Sequence, residues 1–238
     1  MNKIVADMHM HTLASGHAYG TIREMAKAAK DKDLKLIGIS EHGPGIPGTV
    51  EPIYFGNLSV VPRFIEGVEV LHGCEVNVLN DGTLSLDDKH LNYLDYAIAG
   101  IHLLCFKNEG RTKNTDNLIA CMKHPKVYFI SHPDDDKTPL DYERLVKAAK
   151  DYHVALEVNN SSLLHPDRRL NCFDNYKKML ELCMQLQAPI IVDSDAHDPS
   201  AVGQLDKALE LLNNLNFDED LILNNDIDKL KRFINYQN

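Results

Sequence analysis

The sequence is poor in cysteine, and the few that it has form no recognisable framework. Five cysteines occur in 238 residues, and none belongs to a Cys-x-x-Cys pair. An odd number of scattered cysteines predicts free thiols in a reducing cytoplasm rather than disulfides. The spacing also argues against a structural zinc site built from thiolates.

Long apolar runs and an excess of positive charge are missing as well. No apolar stretch approaches the roughly 20 residues of a membrane span, and the N-terminus lacks the basic and apolar blocks of a signal peptide. The 35 acidic residues outnumber the 25 basic ones, which gives a net charge of −10. This balance argues against a chain-wide grip on nucleic acid or anionic membrane. We therefore expect a cytoplasmic protein with neither kind of partner, and leave a homo-oligomer open.

Hydrophobic residues make up 44% of the chain and recur in seven strand-like runs. The runs are residues 4–8, 36–40, 69–79, 96–101, 127–131, 154–158 and 189–193. Between them lie polar or amphipathic stretches, such as the predicted helix Ile22–Asp33, which follows a capping box at Thr21 and Glu24. This alternation is typical of a parallel sheet covered by helices. We predict an α/β fold with one distorted (β/α)7 TIM-like barrel domain over residues 1–238, with an open doubly wound sheet as the alternative.

The segment between the second and third runs has a composition of its own. Residues 43–58 contain four glycines and three prolines, which is typical of a long functional loop rather than a linker. A short helix is predicted near Val61–Glu66, just before the third run.

Metal-ligand residue types occur at or near the C-terminal ends of six of the seven runs. With one histidine from the loop after the first run, the set is His9, His11, His17, His42, Glu75, His102, His132, Asp195 and His197. His9 and His11 share one face of a strand, so both imidazoles aim at one point. A single histidine at a strand end is explained by solvation, but six coincident ends are not. Because an α/β barrel builds its site at the C-terminal face, the pattern predicts one shared metal centre there.

The number and type of the candidate ligands indicate more than one ion. A tetrahedral zinc takes four ligands at most, so nine candidates predict two or three ions. Glu75 is the expected bridge, because a carboxylate can bind two ions. Histidines assisted by oxygen ligands suit Zn, Mn or Fe.

These residues resemble a known family of metallohydrolases. The strings 7–12 (Asp-Met-His-Met-His-Thr), 131–133 (Ser-His-Pro) and 194–197 (Ser-Asp-Ala-His), with His17, Glu41-His42, Glu75 and His102, resemble the PHP (polymerase and histidinol phosphatase) metallohydrolases. The strings 17–19 (His-Ala-Tyr) and 157–162 (Glu-Val-Asn-Asn-Ser-Ser), and the overall length, are similar to the YcdX-type branch of stand-alone phosphatases. The resemblance covers essentially the whole chain. Asp193 departs from it, because a glycine is commoner there.

The resemblance implies a distorted (β/α)7 barrel with three divalent ions, usually described as zinc. Carried over by position, one ion would take His9, His11, Glu75 and Asp195. The second would take Glu75, His102 and His132, and the third His17, His42 and His197.

The leading functional hypothesis is a metal-dependent phosphatase, a phosphoric monoester hydrolase that acts on a small phosphorylated substrate. Divalent ions lower the pKa of a bound water to about 7 and so provide hydroxide at neutral pH. Glu75, Asp195 and His197 are the expected catalytic residues. Arg168 and Arg169, in the loop after the sixth run, are candidates for phosphate binding, because a guanidinium matches phosphate bidentately.

Several alternatives stay open. One is a phosphodiesterase or exonuclease of the PHP type, and another is a catalytically silent regulatory domain that binds metal. Surface solvation explains the two arginines equally well. Either His165 or Asp134 could be the acid that protonates the leaving group.

Overall fold

The computed structural model describes residues 3–236 and contains a nearly closed barrel of parallel strands. The strands are β1 (Ala6–Asp7), β2 (Leu36–His42), β3 (Phe64–Ile65), β4 (Val68–Asn77), β5 (Tyr96–Gly100), β6 (Val127–Ile130), β7 (Ala155–Asn159) and β8 (Ile190–Asp193). Seven of them pair in chain order, and β3 alone is antiparallel, at the side of β4. A parallel bridge between Met10 and Ala196 joins the chain beyond β1 to the chain beyond β8. The predicted (β/α)7 barrel is confirmed.

Helices connect the strands on the outside. They are α1 (Ile22–Asp31), α2 (Ile53–Asn57), α3 (Asp88–Leu91), α4 (Arg111–Cys121), α5 (Tyr142–Asp151), α6 (Asn160–Leu164), α7 (Cys172–Leu186), α8 (Asp206–Asn214) and α9 (Ile227–Phe233). The predicted capping box begins α1: the Glu24 N–H donates to Thr21 Oγ1, and the Thr21 N–H donates to Glu24 Oε2. Across residues 3–236, no helix combines the length and the apolar character needed to cross a membrane.

The segment before β4 corrects one prediction. The short helix expected near Val61–Glu66 is wrong, because Phe64 and Ile65 form a strand that pairs with β4. Glu66 and Gly67 connect the two strands with φ of 56° and 82°. Positive φ at both central residues is typical of the tight turn of a two-residue β-hairpin. Upstream, α2 lies within the segment expected to be a loop.

The interior of the barrel is packed with apolar side chains below the strand ends. Met8, Leu71, Tyr96 and Phe129 are fully buried in one cluster, which Phe233 of α9 joins from the end of the chain. A second, larger cluster lies between the strands and the outer helices. The part of the barrel below the strand ends is therefore filled by this cluster, which we call the floor of the barrel. Polar groups occupy the C-terminal mouth.

Tyr96 is the largest side chain of this floor, and two glycines make room for it. Its hydroxyl donates to the Met8 carbonyl over 2.6 Å. A Cβ added at Gly73 would stand 2.4 Å from Tyr96 Cζ, and one at Gly38 would stand 2.0 Å from the hydroxyl oxygen. Neither glycine can be enlarged unless the ring moves.

Gly73→Ala should lower the free energy of unfolding by about 1–3 kcal/mol, the usual cost of overpacking a core. Urea unfolding followed by circular dichroism measures the change. Gly56→Ala is the matched control, because the nearest atoms to its added Cβ lie 3.6 Å away. Equal stability of the two variants would contradict the tight fit around Tyr96.

Candidate metal centre

The nine candidate ligands converge at the C-terminal mouth of the barrel. His42 ends β2 and Glu75 lies in β4, while the others follow β1, β5, β6 and β8. His132 and Asp195 adopt positive φ values of 27° and 54°. Such a backbone costs about 1–3 kcal/mol and persists where the surroundings enforce it. At His132, the backbone N–H donates to Glu157 Oε2 over 2.6 Å.

Four of the candidates surround one point. His9 Nε2 lies 3.1 Å from His11 Nε2, 3.4 Å from Glu75 Oε2 and 3.5 Å from Asp195 Oδ1. His11 Nε2 lies 3.6 Å from Glu75 Oε2 and 3.2 Å from Asp195 Oδ1. Donors about 2.0–2.1 Å from a tetrahedral ion stand about 3.3 Å from each other. The five distances agree with ligands of one tetrahedral ion.

The other oxygen of Glu75 faces a different pair of histidines. Glu75 Oε1 lies 3.2 Å from His102 Nε2 and 2.9 Å from His132 Nε2. The side chain is buried, and its two oxygens divide between two groups of ligands. This is the arrangement that a bridging carboxylate requires.

The remaining histidines lie at the outer side of the centre. His42 Nε2 is 3.2 Å from the Nε2 of the exposed His17, and the His17 and His197 rings are 5.1 Å apart. His42 Nδ1 is also 2.9 Å from Glu75 Oε2. Among the described residues, three groups have donors close enough to share an ion: His9, His11 and Asp195; His11, His42 and His197; and His42, Glu75 and His102. The structure thus places His42 nearer to Glu75 than the family resemblance implies.

Buried polar atoms without partners support a cation in this place. Within residues 3–236, His42 Nδ1, Glu75 Oε2 and Asp195 Oδ1 are buried and have no hydrogen-bond partner. The short distance between the first two lacks the geometry of a hydrogen bond. An unsatisfied buried polar group costs about 1–3 kcal/mol, and three of them meet here. The residues fit a metal centre, because ligation would satisfy all three.

Polar partners fix the orientation of the histidines. His9 Nδ1 lies 2.6 Å from Glu157 Oε1, and His102 Nδ1 lies 2.7 Å from Asn77 Oδ1. A histidine that donates one N–H to such an acceptor presents its other nitrogen to a metal. Both histidines therefore present Nε2 to the centre.

His11 is held through a longer chain of contacts. Its Nδ1 lies 3.1 Å from Ser15 Oγ, which donates to Glu41 Oε2 over 2.6 Å. Glu41 also accepts from the Thr12 N–H over 3.0 Å. Sequence reasoning assigned no role to Ser15, Asn77 or Glu41. Only the position of Glu41, directly before a candidate ligand, was a usable signal.

The electrostatics of the centre balance buried carboxylates against imidazoles. Burial lowers the pKa of His9, but the carboxylates of Glu157, Glu75 and Asp195 outweigh burial and hold that pKa well above its usual value. Burial raises the pKa of Glu75, but His102, His9 and His42 hold it well below its usual value. Glu75 is therefore ionised at neutral pH, and a metal must displace protons to bind at His9.

Both arginines lie at the mouth. With His17, His42 and His102 they line a cavity of 290 Å³. Arg169 Nη1 donates to His132 Nδ1 over 3.2 Å. For the Arg168 guanidinium, the described residues provide neither a hydrogen bond nor an ion pair, although its carbonyl accepts from Lys137 Nζ over 2.7 Å.

A second cavity, of 440 Å³, adjoins the first. Arg168 and His17 line it too, together with Asp195, His197 and the exposed His165. A larger cavity of 730 Å³ lies at the opposite end of the barrel, beside Arg63 and Tyr128. Size alone therefore does not mark the site; the clustered histidines do.

Asp134 lies behind Arg169 and is fully buried. Arg169 Nη1 is 3.6 Å from Asp134 Oδ1, and neither carboxylate oxygen has a hydrogen-bond partner in the described part of the chain. Burial raises the pKa of Asp134 to about 7, although Arg169 opposes the shift. A carboxyl so enclosed has no access to a leaving group in either cavity.

A barrel with clustered histidines and carboxylates at its mouth defines a class of metal-binding α/β proteins. Within that class, the family model described as PHP domain matches residues 7–217, and the chain belongs to this family. A probable phosphatase of Thermoanaerobacter sp. (strain X514) is 42% identical over 236 residues, which cover 98% of this chain and 95% of that protein. A probable phosphatase of Caldanaerobacter subterraneus subsp. tengcongensis is 40% identical over 238 residues, with 98% and 91% covered.

A solved structure with the same architecture supports the fold. It is the histidinol phosphate phosphatase of Lactococcus lactis subsp. lactis, crystallised with zinc, L-histidinol and phosphate. The TM-score is 0.61 at 17% sequence identity, and 90% of this chain and 95% of that chain are covered. At this identity the likeness concerns the fold alone.

The enclosure of Asp134 has a consequence for stability. Its pKa is about 7 in the folded protein and 3.8 in a model compound, so the folded state binds the proton more tightly. The free energy of unfolding of the native chain should therefore fall, relative to that of Asp134→Asn, as pH rises from about 4 to 8. Urea unfolding in a chelator measures both proteins at pH 5 and pH 8.

Asp167→Asn removes an exposed carboxylate from a nearby loop and serves as the control. Its difference from the native chain should be the same at both pH values. A difference for Asp134→Asn that does not grow with pH would show that the carboxyl ionises freely in the fold.

Proposed function

We propose that this protein is a phosphoric monoester hydrolase that uses three divalent ions, with zinc preferred. The observation that carries the proposal is the position of Glu75, whose Oε2 faces His9 and His11 while its Oε1 faces His102 and His132. The names of the relatives agree with phosphatase activity. Zinc and phosphate in the Lactococcus lactis protein agree with the choice of metal and substrate.

The ligands would divide into three sets. His9, His11, Glu75 and Asp195 would hold one ion, Glu75, His102 and His132 a second, and His17, His42 and His197 a third. When bound, the ions lower the pKa of a ligated water to about 7 and neutralise charge on the phosphoryl oxygens. The third set is the outermost and has the fewest buried ligands, so it is the most accessible to substrate.

The arginines would share the binding of the phosphate. Arg169 already contacts the ligand His132, and it can donate a second N–H to a phosphoryl oxygen. The Arg168 guanidinium, which has no partner among residues 3–236, lines both cavities and can reach a substrate in either. Since a fixed fork of donors suits phosphate better than an ammonium group does, these side chains would select phosphate esters.

The reaction is hydrolysis of one ester bond. A bond forms between a water oxygen and phosphorus, the bond between phosphorus and the ester oxygen breaks, and a proton passes to the departing alcohol. Of the two acids considered from the sequence, Asp134 is enclosed behind Arg169, whereas His165 is exposed and lines the 440 Å³ cavity. His165 could therefore protonate a leaving group placed in the 440 Å³ cavity, whereas a leaving group in the 290 Å³ cavity would take its proton from water.

A phosphodiesterase is the second candidate. The two cavities meet at His17 and Arg168, so a phosphate at the centre could carry a substituent on each side. The net charge of −10 counts against long nucleic acids as substrates. A catalytically silent metal-binding domain would load metal without hydrolysing either ester.

Loading the protein with zinc, manganese or iron and assaying 4-nitrophenyl phosphate against its bis-ester separates these functions. We expect close to three ions per chain and a clear preference for the monoester. Glu75→Gln should lower the metal content and abolish activity, because it removes the charge of a ligand that two ions share. Elemental analysis and initial rates are the measurements.

Glu69→Gln is the matched control, since it makes the same change in the same strand. Glu69 pairs with Lys231 at the other end of β4. One ion per chain in the native protein would refute the trinuclear centre, and a preference for the bis-ester would favour the phosphodiesterase.

Arg169→Ala should lower kcat/KM for the monoester roughly ten- to a hundredfold. A hydrogen bond to a charged group is worth about 1.5–3 kcal/mol, and each 1.4 kcal/mol is about tenfold in rate. Arg168→Ala should also lower kcat/KM for the monoester. Arg169→Lys should restore only part of the kcat/KM that Arg169→Ala loses. The losses should be smaller for the bis-ester.

Metal content is measured for every variant, so that a disturbed His132 is recognised. Arg144→Ala is the control, because that exposed arginine pairs with Asp116, away from the mouth. Full monoester activity in both Arg168→Ala and Arg169→Ala would mean that the arginines are ordinary surface residues.

A further inference from the structure

An exposed apolar turn forms one wall of the cavity beside the metal centre. Leu103 and Leu104 follow the candidate ligand His102, and their side chains are 56% and 72% exposed. Both line the 290 Å³ cavity, as do Ile46 and Ile101. Removing large aliphatic side chains from water lowers the free energy. This wall is therefore complementary to an apolar group.

The turn is held at both ends, and its two leucines stay outside the core. The N–H groups of Cys105 and Phe106 both donate to the His102 carbonyl, over 2.8 and 2.9 Å. The Phe106 side chain is buried and anchors the far end of the turn. At the near end, His102 Nδ1 is held by Asn77 Oδ1 at 2.7 Å. The two leucines are therefore fixed beside the centre and face the space that a substrate would enter.

The cavity differs from its neighbour in chemistry. The 440 Å³ cavity is lined mainly by polar side chains, with Leu164 as its one large aliphatic residue among those described. The 290 Å³ cavity is lined by four aliphatic residues, and by Asp135, Lys137 and Thr138 beside the histidines and the two arginines. Small-molecule sites usually measure about 300–1,000 Å³, so this one suits a small organic group rather than a polymer.

We propose that the preferred substrates are phosphate monoesters of small apolar alcohols, with the alkyl group of the leaving alcohol held against Leu103 and Leu104. This inference rests on the proposed monoesterase function and adds the class of leaving group. The phosphate would lie toward Arg169 and the histidines. Polyhydroxylated leaving groups, such as sugars, would have to lose their hydration against the aliphatic wall.

The test compares esters of primary alcohols, which have similar intrinsic reactivity. Values of kcat/KM are measured for methyl, n-propyl and n-pentyl phosphate and for glycerol 3-phosphate, with the metal-loaded full chain. Each methylene that is buried should raise kcat/KM by about three- to fourfold. The n-pentyl ester should therefore be hydrolysed more efficiently than glycerol 3-phosphate.

Two serine variants locate the effect. Leu104→Ser should lower the ratio of n-pentyl to glycerol esters about tenfold, whereas Leu164→Ser, in the other cavity, should keep the native ratio. The affinities for n-pentylphosphonate and methylphosphonate, measured by isothermal titration calorimetry, give a second measure that does not depend on turnover, and their ratio should follow the same pattern. Circular dichroism checks that both variants fold.

The outcomes separate this inference from the function beneath it. Hydrolysis of all four esters with equal efficiency would overturn the inference and leave the monoesterase in place. A ratio that falls in Leu164→Ser and not in Leu104→Ser would place the leaving group in the 440 Å³ cavity and also overturn it. Loss of hydrolysis for every monoester, with metal bound, would overturn both.

Discussion

The constraint on which the structure depends is the placement of three carboxylates, two of them buried, within 3.5 Å of the ring nitrogens of His9. Glu75, Glu157 and Asp195 all lie at the mouth among clustered imidazoles. A buried charge is tolerated only where opposite charge or hydrogen bonds compensate it. Without an ion, His9 supplies part of that compensation, because the carboxylates hold its pKa well above the usual value. Divalent cations would supply it more fully, and Glu75 Oε2, which has no hydrogen-bond partner within the described residues, would then be satisfied.

The barrel accommodates these charged side chains because it holds them at its mouth, apart from the apolar layers. Below the mouth, Tyr96 and Phe129 fill the interior, and Phe233 closes the opposite end. Because parallel strands end at one face, side chains far apart in sequence are presented together there on rigid backbone. The supporting acceptors come from the same strand ends: Asn77 from β4, and Glu157 from β7. The candidate ligands and the residues that orient them are therefore held by the strands of the same barrel.

Sequence reasoning recovered the strands and the positions of the histidines because both follow simple rules. Apolar runs mark buried parallel strands, and a residue at the end of such a run must lie at the mouth. It could not recover contacts that depend on side-chain direction across the barrel. The link from His11 through Ser15 to Glu41 joins residues with no common pattern, and His42 turns its Nδ1 toward Glu75 rather than only outward. The hairpin at Glu66 and Gly67 was missed because its turn depends on two positive φ values in a sequence that also suits a helix.

The contact between the chain after β1 and the chain after β8 affects the order in which the centre can assemble during synthesis of the protein. The His11 backbone N–H donates to the Ala196 carbonyl over 2.8 Å. His9 and His11 therefore lie beside Asp195 and His197 in space, although most of the chain separates the two pairs in sequence. On the ribosome, His9 and His11 emerge long before Asp195 and His197 are synthesised. During that interval the early histidines have no carboxylate from β8 and no closed barrel around them. The first set of candidate ligands is therefore complete only after the last strand has been translated.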